Sequence, residues 1–159
     1  MNLLEVRKLY NLSQKRASDI LSVPLRTYIR YETDNSYGNS FKREMMIKTI
    51  VDSCEITETK GLLSIDRIKD IITTIIDYKY NDKISLVYLF GSYAKGYAKE
   101  TSDVDLCIST DITGIDFLGL VEDLRNGLHK KADVVRLCDI KQGNQLLIDI
   151  MKNGIKVYG

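Results

Sequence analysis

The most constraining pattern in this chain is a strand-like run followed by a paired acidic motif. Ile84-Ser85-Leu86-Val87-Tyr88-Leu89-Phe90 is dense in β-branched and aromatic residues, which suits a buried strand. Gly91-Ser92 ends it, ten residues follow, and then comes Asp103-Val104-Asp105-Leu106. On a strand, side chains at i and i+2 share a face. Asp103 and Asp105 therefore project together, and Val104 and Leu106 take the opposite, buried face. Two carboxylates this close repel each other unless a cation sits between them. Oxygen donors without His or Cys suit a hard ion such as magnesium. Asp133 falls on the next predicted strand and supplies a third carboxylate if the two strands are neighbours. Three carboxylates around two magnesium ions would form a site for in-line attack on a nucleotide phosphate.

Gly91-Ser92 fits the same chemistry. A strand that ends in Gly-Ser and opens a helix presents free backbone N–H groups to an anion. Glycine lets the backbone approach phosphate closely, and the Ser92 hydroxyl can donate one more hydrogen bond. Lys95 and Lys99 could supply positive charge to a triphosphate tail.

Around this motif, the pattern predicts an α+β chain. Residues 3–10, 13–21 and 24–32 read as short helices, with Ser13 as a cap. Pro24, the only proline, suits the first turn of the third helix. A loop at 34–39 precedes a helix over 40–53. Residues 54–63 read as a linker. Ser64 or Asp66 then opens a helix with isoleucines at helical spacing. Strands are expected at 84–90, 103–108 and 132–137, helices at 114–128 and 140–152, and a short strand at 155–158. The division is thus an all-helical domain over 1–53, a linker over 54–63, and a small mixed-sheet domain with flanking helices over 64–159.

Charge supports two modules. The net charge is +1, which excludes a uniformly basic coat or an acidic tail. Residues 1–50 nevertheless hold nine Lys/Arg against five Asp/Glu, and the remainder is acidic. Cys54, Cys107 and Cys138 are scattered, which argues against a disulfide framework or a structural zinc site and for a reducing cytoplasm. The first ten residues carry charges where a signal peptide needs an apolar core. No run approaches the ~18 apolar residues of a membrane span. One histidine, His129, nearly excludes chemistry that needs a histidine pair.

Gly91-Ser92-Tyr93-Ala94-Lys95-Gly96 followed by Ser102-Asp103-Val104-Asp105-Leu106 resembles the signature of the DNA polymerase beta superfamily, and most closely its minimal nucleotidyltransferases. The resemblance covers about residues 65–159. It implies that Asp103 and Asp105 bind magnesium, that Asp133 helps activate the acceptor hydroxyl, and that Gly91-Ser92 hold the nucleotide's phosphates. Many members carry Arg where this chain has Lys95, so a fork-shaped donor is replaced by a point charge.

The run Leu12-Ser13-Gln14 to Glu32 resembles the helix-turn-helix of phage-repressor-type regulators. It implies that Gln14, Arg26, Thr27 and Arg30 face DNA in the major groove. Lys15, Arg16, Lys42 and Arg43 are candidates for phosphate contacts. Together the two resemblances imply a magnesium-dependent transfer of AMP from ATP to a hydroxyl of a partner protein. The partner class is a HEPN-domain toxin, the chain is its antitoxin, and the operon is autoregulated at operator DNA. The chain would act in the cytoplasm, away from membranes, as a homodimer or in a hetero-oligomer with the toxin. The competing reading is a transcriptional regulator with a nucleotide-sensing or inactive second domain. A small-molecule nucleotidyltransferase is the third, weakened by the absence of a large acceptor domain.

Overall fold

Four helices fill the first part of the chain in a computed structural model that describes residues 1–159. The chain divides into two units, Met1–Glu55 and Ile56–Gly159. Helix α1 spans Leu3–Leu9 and is closed by a capping box, in which the Asn2 side chain accepts from Glu5 N–H and the Asn2 N–H donates to the Glu5 carboxylate. Helix α2, Gln14–Ile20, starts at Ser13, whose side chain accepts from the Arg16 N–H. Ser22 turns the chain with a φ of 53°. Pro24 sits one residue before helix α3, Leu25–Thr33, rather than within its first turn. Asn39 caps helix α4, Ser40–Cys54.

The apolar core of this unit is Leu3, Val6, Ala17, Tyr28, Tyr31, Met46 and Ile50. Ala17 and Ser18 are both fully buried, and their small side chains leave room for neighbouring elements. One carboxylate lies beside that core. The Glu32 side chain is 2% exposed and accepts from Arg7 Nε at 2.5 Å, from the Gln14 amide and from the Tyr28 hydroxyl at 3.2 Å. Burial pushes the Glu32 carboxyl up, but the hydrogen bonds from Arg7 and Gln14 outweigh it and hold the group below its ordinary value.

In the second unit, helix α5 covers Ile65–Ile75 from a Ser64 cap and widens into a π-helical turn at Ile76–Tyr80. Strand β1, Ile84–Phe90, runs straight into helix α6, Gly91–Lys95. Strand β2 is Val104–Thr110, helix α7 Gly114–Leu128, strand β3 Ala132–Arg136, helix α8 Gln145–Asn153 and strand β4 Ile155–Tyr158. The sheet order is β3-β2-β1-β4. β1 is antiparallel to β2 and β4, and β2 is parallel to β3. α7 is the crossover that a parallel pair requires.

The two sheet faces differ. Val87, Leu89, Val104, Leu106 and Ile108 join Ile68, Ile72, Leu120, Leu124 and Leu128 in the main core. The other face carries a smaller cluster of Phe90, Cys107 and Ile150 from α8. Helix α8 begins at residue 145 and not at 140. Gly143 has a φ of +77°, which breaks the helical path, and Asn144 caps the new start by accepting from Leu146 N–H. The third strand ends at Arg136, where Leu137–Asp139 form a 3-10 turn.

Part of the stretch expected as a linker is held within the second unit. Lys130 is 1% exposed. Its ammonium donates to the carbonyls of Lys60 at 3.2 Å, Glu58 at 3.5 Å and Glu100. Desolvation lowers its pKa, and the three carbonyls match its three N–H donors.

Removing Arg7 tests the first unit's buried network. Arg7→Met strands a buried carboxylate and is expected to cost about 2–3 kcal/mol. The double variant Arg7→Met/Glu32→Leu should recover a large part of that loss. Urea denaturation of the full chain measures both.

Candidate active site

The sheet register brings the acidic motif together. Phe90 pairs with Asp105 across the antiparallel β1–β2 ladder, and Asp105 pairs with Asp133 across the parallel β2–β3 ladder. Asp133 is therefore the lateral neighbour of Asp105. Asp103 lies one residue before β2, and Val104 and Leu106 are fully buried on the core face. The two motif carboxylates thus share the other face, as alternation requires. Along that face the next residue is Cys107, which is buried with Phe90 and Ile150. Its role is packing.

Asp105 is the electrostatic centre. Its carboxyl is pushed up to about 6, first by burial, then by the charges of Asp133 and Asp103. Its position also explains Gly91. A Cβ on Gly91 would lie 2.0 Å from Asp105 Oδ2, and Gly91 has a φ of +67°. Glycine is required twice here, once for the backbone conformation and once for the space the carboxylate fills.

The turn after β1 opens helix α6 at Gly91 and Ser92, the pair expected to meet phosphate. The first N–H groups of α6 have no partner four residues back. Gly96 ends the helix in the left-handed region with a φ of 81°, and Tyr97 N–H donates to Ser92 O at 3.1 Å. The loop to Asp103 is tied at its end, where Lys99 N–H donates to the Ser102 hydroxyl at 2.8 Å. Lys95 is not free. Its ammonium lies 2.8 Å from Asp149 Oδ1 on α8, and the Asn153 amide donates to the same oxygen at 2.8 Å. Asp149 had no signal in the sequence, because its partner is 54 positions away and on a different helix.

The donor set of Asp103, Asp105 and Asp133 fits a hard divalent ion. All donors are oxygen, and the notch at Gly91 leaves the Asp105 carboxylate space that any side chain would fill. The three carboxylates share a face and an electrostatic field, but no three acidic, His or Cys side chains are gathered into a ready ion cage.

In the first unit, the four residues singled out for DNA are differently placed. Arg26 is exposed and Thr27 half-buried. Arg30 is exposed and lays its guanidinium 4.1 Å from the centroid of the Tyr37 ring. Gln14 donates its amide to Glu32. Among the candidates for phosphate contact, Lys15 pairs with Asp19, and Arg43 donates to the carbonyls of Asp34 and Tyr37.

The raised Asp105 carboxyl has a direct consequence for stability. The folded protein holds that proton up to about pH 6, whereas the unfolded chain releases it near the ordinary value of 3.8. Between those limits the folded state binds more protons, so stability falls as pH rises through the window. Asp105→Asn is expected to remove this slope. In chelator at pH 7 it should raise the melting temperature of the second unit by about 5 °C. Calorimetric melts from pH 4 to pH 7 measure the effect.

Comparison with known proteins gives a family. The model of the family described as Polymerase beta, Nucleotidyltransferase matches residues 69–159, which is more than half of the chain. A Methanocaldococcus jannaschii protein named as a protein adenylyltransferase is 38% identical over 61 residues, or 37% of this chain and 71% of that protein. Among solved structures, a chain from a toxin-antitoxin crystal structure with AMP-PNP has a TM-score of 0.49 at 25% identity, covering 57% of this chain and 73% of that one. A chain from the complex of a tri-AMPylated Shewanella oneidensis HEPN toxin with its MNT antitoxin has a TM-score of 0.45 at 22% identity, covering 60% and 72%. No helix of this chain is long and apolar enough to cross a membrane. With the family model spanning the whole region that sets Gly91, Asp105 and Asp133 side by side, the chain belongs to the polymerase beta nucleotidyltransferase family and is a nucleotidyltransferase.

Proposed function

We propose that the protein transfers AMP from ATP to a hydroxyl of a partner protein, and that the partner is a HEPN-domain toxin for which this chain is the antitoxin. The observation that carries the transfer reading is the register that sets Asp105 between Gly91 and Asp133. The likeness to a protein named as a protein adenylyltransferase supports a protein acceptor. The toxin partner follows from the motif-level resemblance to minimal nucleotidyltransferase antitoxins.

In this reading, Asp103, Asp105 and Asp133 would hold magnesium. When bound, magnesium supplies charge neutralisation at the transferring phosphate. The chain's own residues do the rest. Gly91 and Ser92 receive the phosphates at the opening of α6. Asp133 is exposed at the strand edge, where it can take the proton of the acceptor hydroxyl. The acceptor oxygen forms a bond to the α-phosphorus, the bond to the β-phosphate oxygen breaks, and pyrophosphate leaves. Most of the effect is positioning and electrostatics rather than covalent chemistry by the protein.

The first unit extends the proposal to operator DNA. Its support is the pair of short helices α2 and α3 joined at Ser22, with Arg26 and Arg30 exposed on the second.

Two experiments test these readings. Incubation with α-labelled ATP, magnesium and the protein encoded beside this one is expected to label that neighbour. Asp103→Ala should abolish the label while leaving DNA binding intact. No label on any protein, with ATP bound normally, would favour a regulator with a sensing domain. Separately, Arg26→Ala should weaken operator binding by about 1–3 kcal/mol without changing transfer. Filter binding across a salt series checks this, because affinity that ignores salt would contradict an electrostatic DNA contact.

A further inference from the structure

The ion pair between Lys95 and Asp149 goes beyond the motif. Lys95 is the last residue of α6, the helix that Gly91-Ser92 open. Its four-carbon stem carries large rotamer freedom. Unheld, the ammonium would spread over many positions in solvent, and ordering it would weaken any anion contact. Asp149 removes that freedom with a contact of 2.8 Å.

Asp149 is itself well placed to do so. Its neighbour Ile150 is 4% exposed and packs in one apolar cluster with Phe90 and Cys107. Those residues flank the catalytic turn: Phe90 precedes Gly91, and Cys107 lies two residues beyond Asp105 on the same face. α8 therefore carries the frame of the site to the Asp149 carboxylate. Asn153, one turn on, fixes that carboxylate by donating to the same oxygen. The pair is partly exposed, at 31% for Lys95 and 25% for Asp149. Such pairs add little to stability; the case for orientation rests on the anchored α8 and on the second contact from Asn153 to the same oxygen. The ammonium has three donors. One goes to Asp149, and two remain for an incoming anion.

We propose that Asp149 is a positioning residue that holds Lys95 ready for the β- and γ-phosphates of the nucleotide. This inference rests on the nucleotidyl-transfer reading above. It predicts a penalty that depends on the number of phosphates.

Calorimetric titration of the full-length protein with ATP and with AMP, both in magnesium, tests it. Asp149→Asn should weaken ATP binding by about three- to tenfold and leave AMP binding unchanged. Asp149→Glu, which keeps the charge, should restore most of the ATP affinity. In a Lys95→Met background, Asp149→Asn should have no further effect. In turnover, KM for ATP should rise with kcat unchanged. Equal losses for ATP and AMP would mean that Asp149 only supports the fold and would overturn the proposal. Unchanged or tighter ATP binding in Asp149→Asn would also overturn it, the latter by making the pair a competitor of phosphate. A wild type that binds neither nucleotide would bring down the nucleotidyl-transfer reading itself, a result distinct from the other two.

Discussion

The Asp105 carboxylate lies against a backbone position that carries no side chain, and the second unit is arranged around that contact. Gly91 supplies the empty volume, and β1 and β2 supply the register that fills it. Once Asp105 is fixed there, the parallel ladder to β3 leaves no choice about its other neighbour, which is Asp133. The site is thus specified by backbone pairing before any ligand arrives. The cost is electrostatic. A carboxylate deprived of water and flanked by two others is held in its less comfortable charge state at neutral pH, a strain that a cation placed beside it would relieve.

Much of this was legible from the residues. The alternation in Asp103-Val104-Asp105-Leu106 predicted which side chains face the core, because β-strand geometry leaves only two faces. The β-branched and aromatic run of Ile84–Phe90 predicted a buried strand, and β1 is paired on both sides with Val87 and Leu89 fully buried. Ser13 and Ser64 were readable as caps, since a short hydroxyl before an amphipathic stretch has few better uses. The capping box of Asn2 with Glu5 follows the same logic and was available in the sequence.

What was not legible depends on partners distant in the chain. Glu32 lies on an otherwise ordinary helix, and nothing local indicates that Arg7, Gln14 and Tyr28 converge on it. Gln14 illustrates the difficulty, since an amide expected to face an outside ligand donates to the Glu32 carboxylate on a neighbouring helix. Asp149 and Lys95 are similarly separated. The sequence predicts a start for α8 at residue 140, five residues early, because Ile140 and the apolar residues after Asn144 continue a helical period across Gly143. Periodicity records side-chain spacing and does not record a backbone angle of +77°.

Lys130 has a consequence of a different kind. Its amine is sealed among three main-chain oxygens contributed by two separate loops, whereas most lysines of a folded protein lie in solvent. A reagent that acylates amines can reach it only during an excursion in which those loops part. The rate at which Lys130 is labelled is therefore a clock for the opening of the nucleotidyltransferase unit, built into the chain without any added probe.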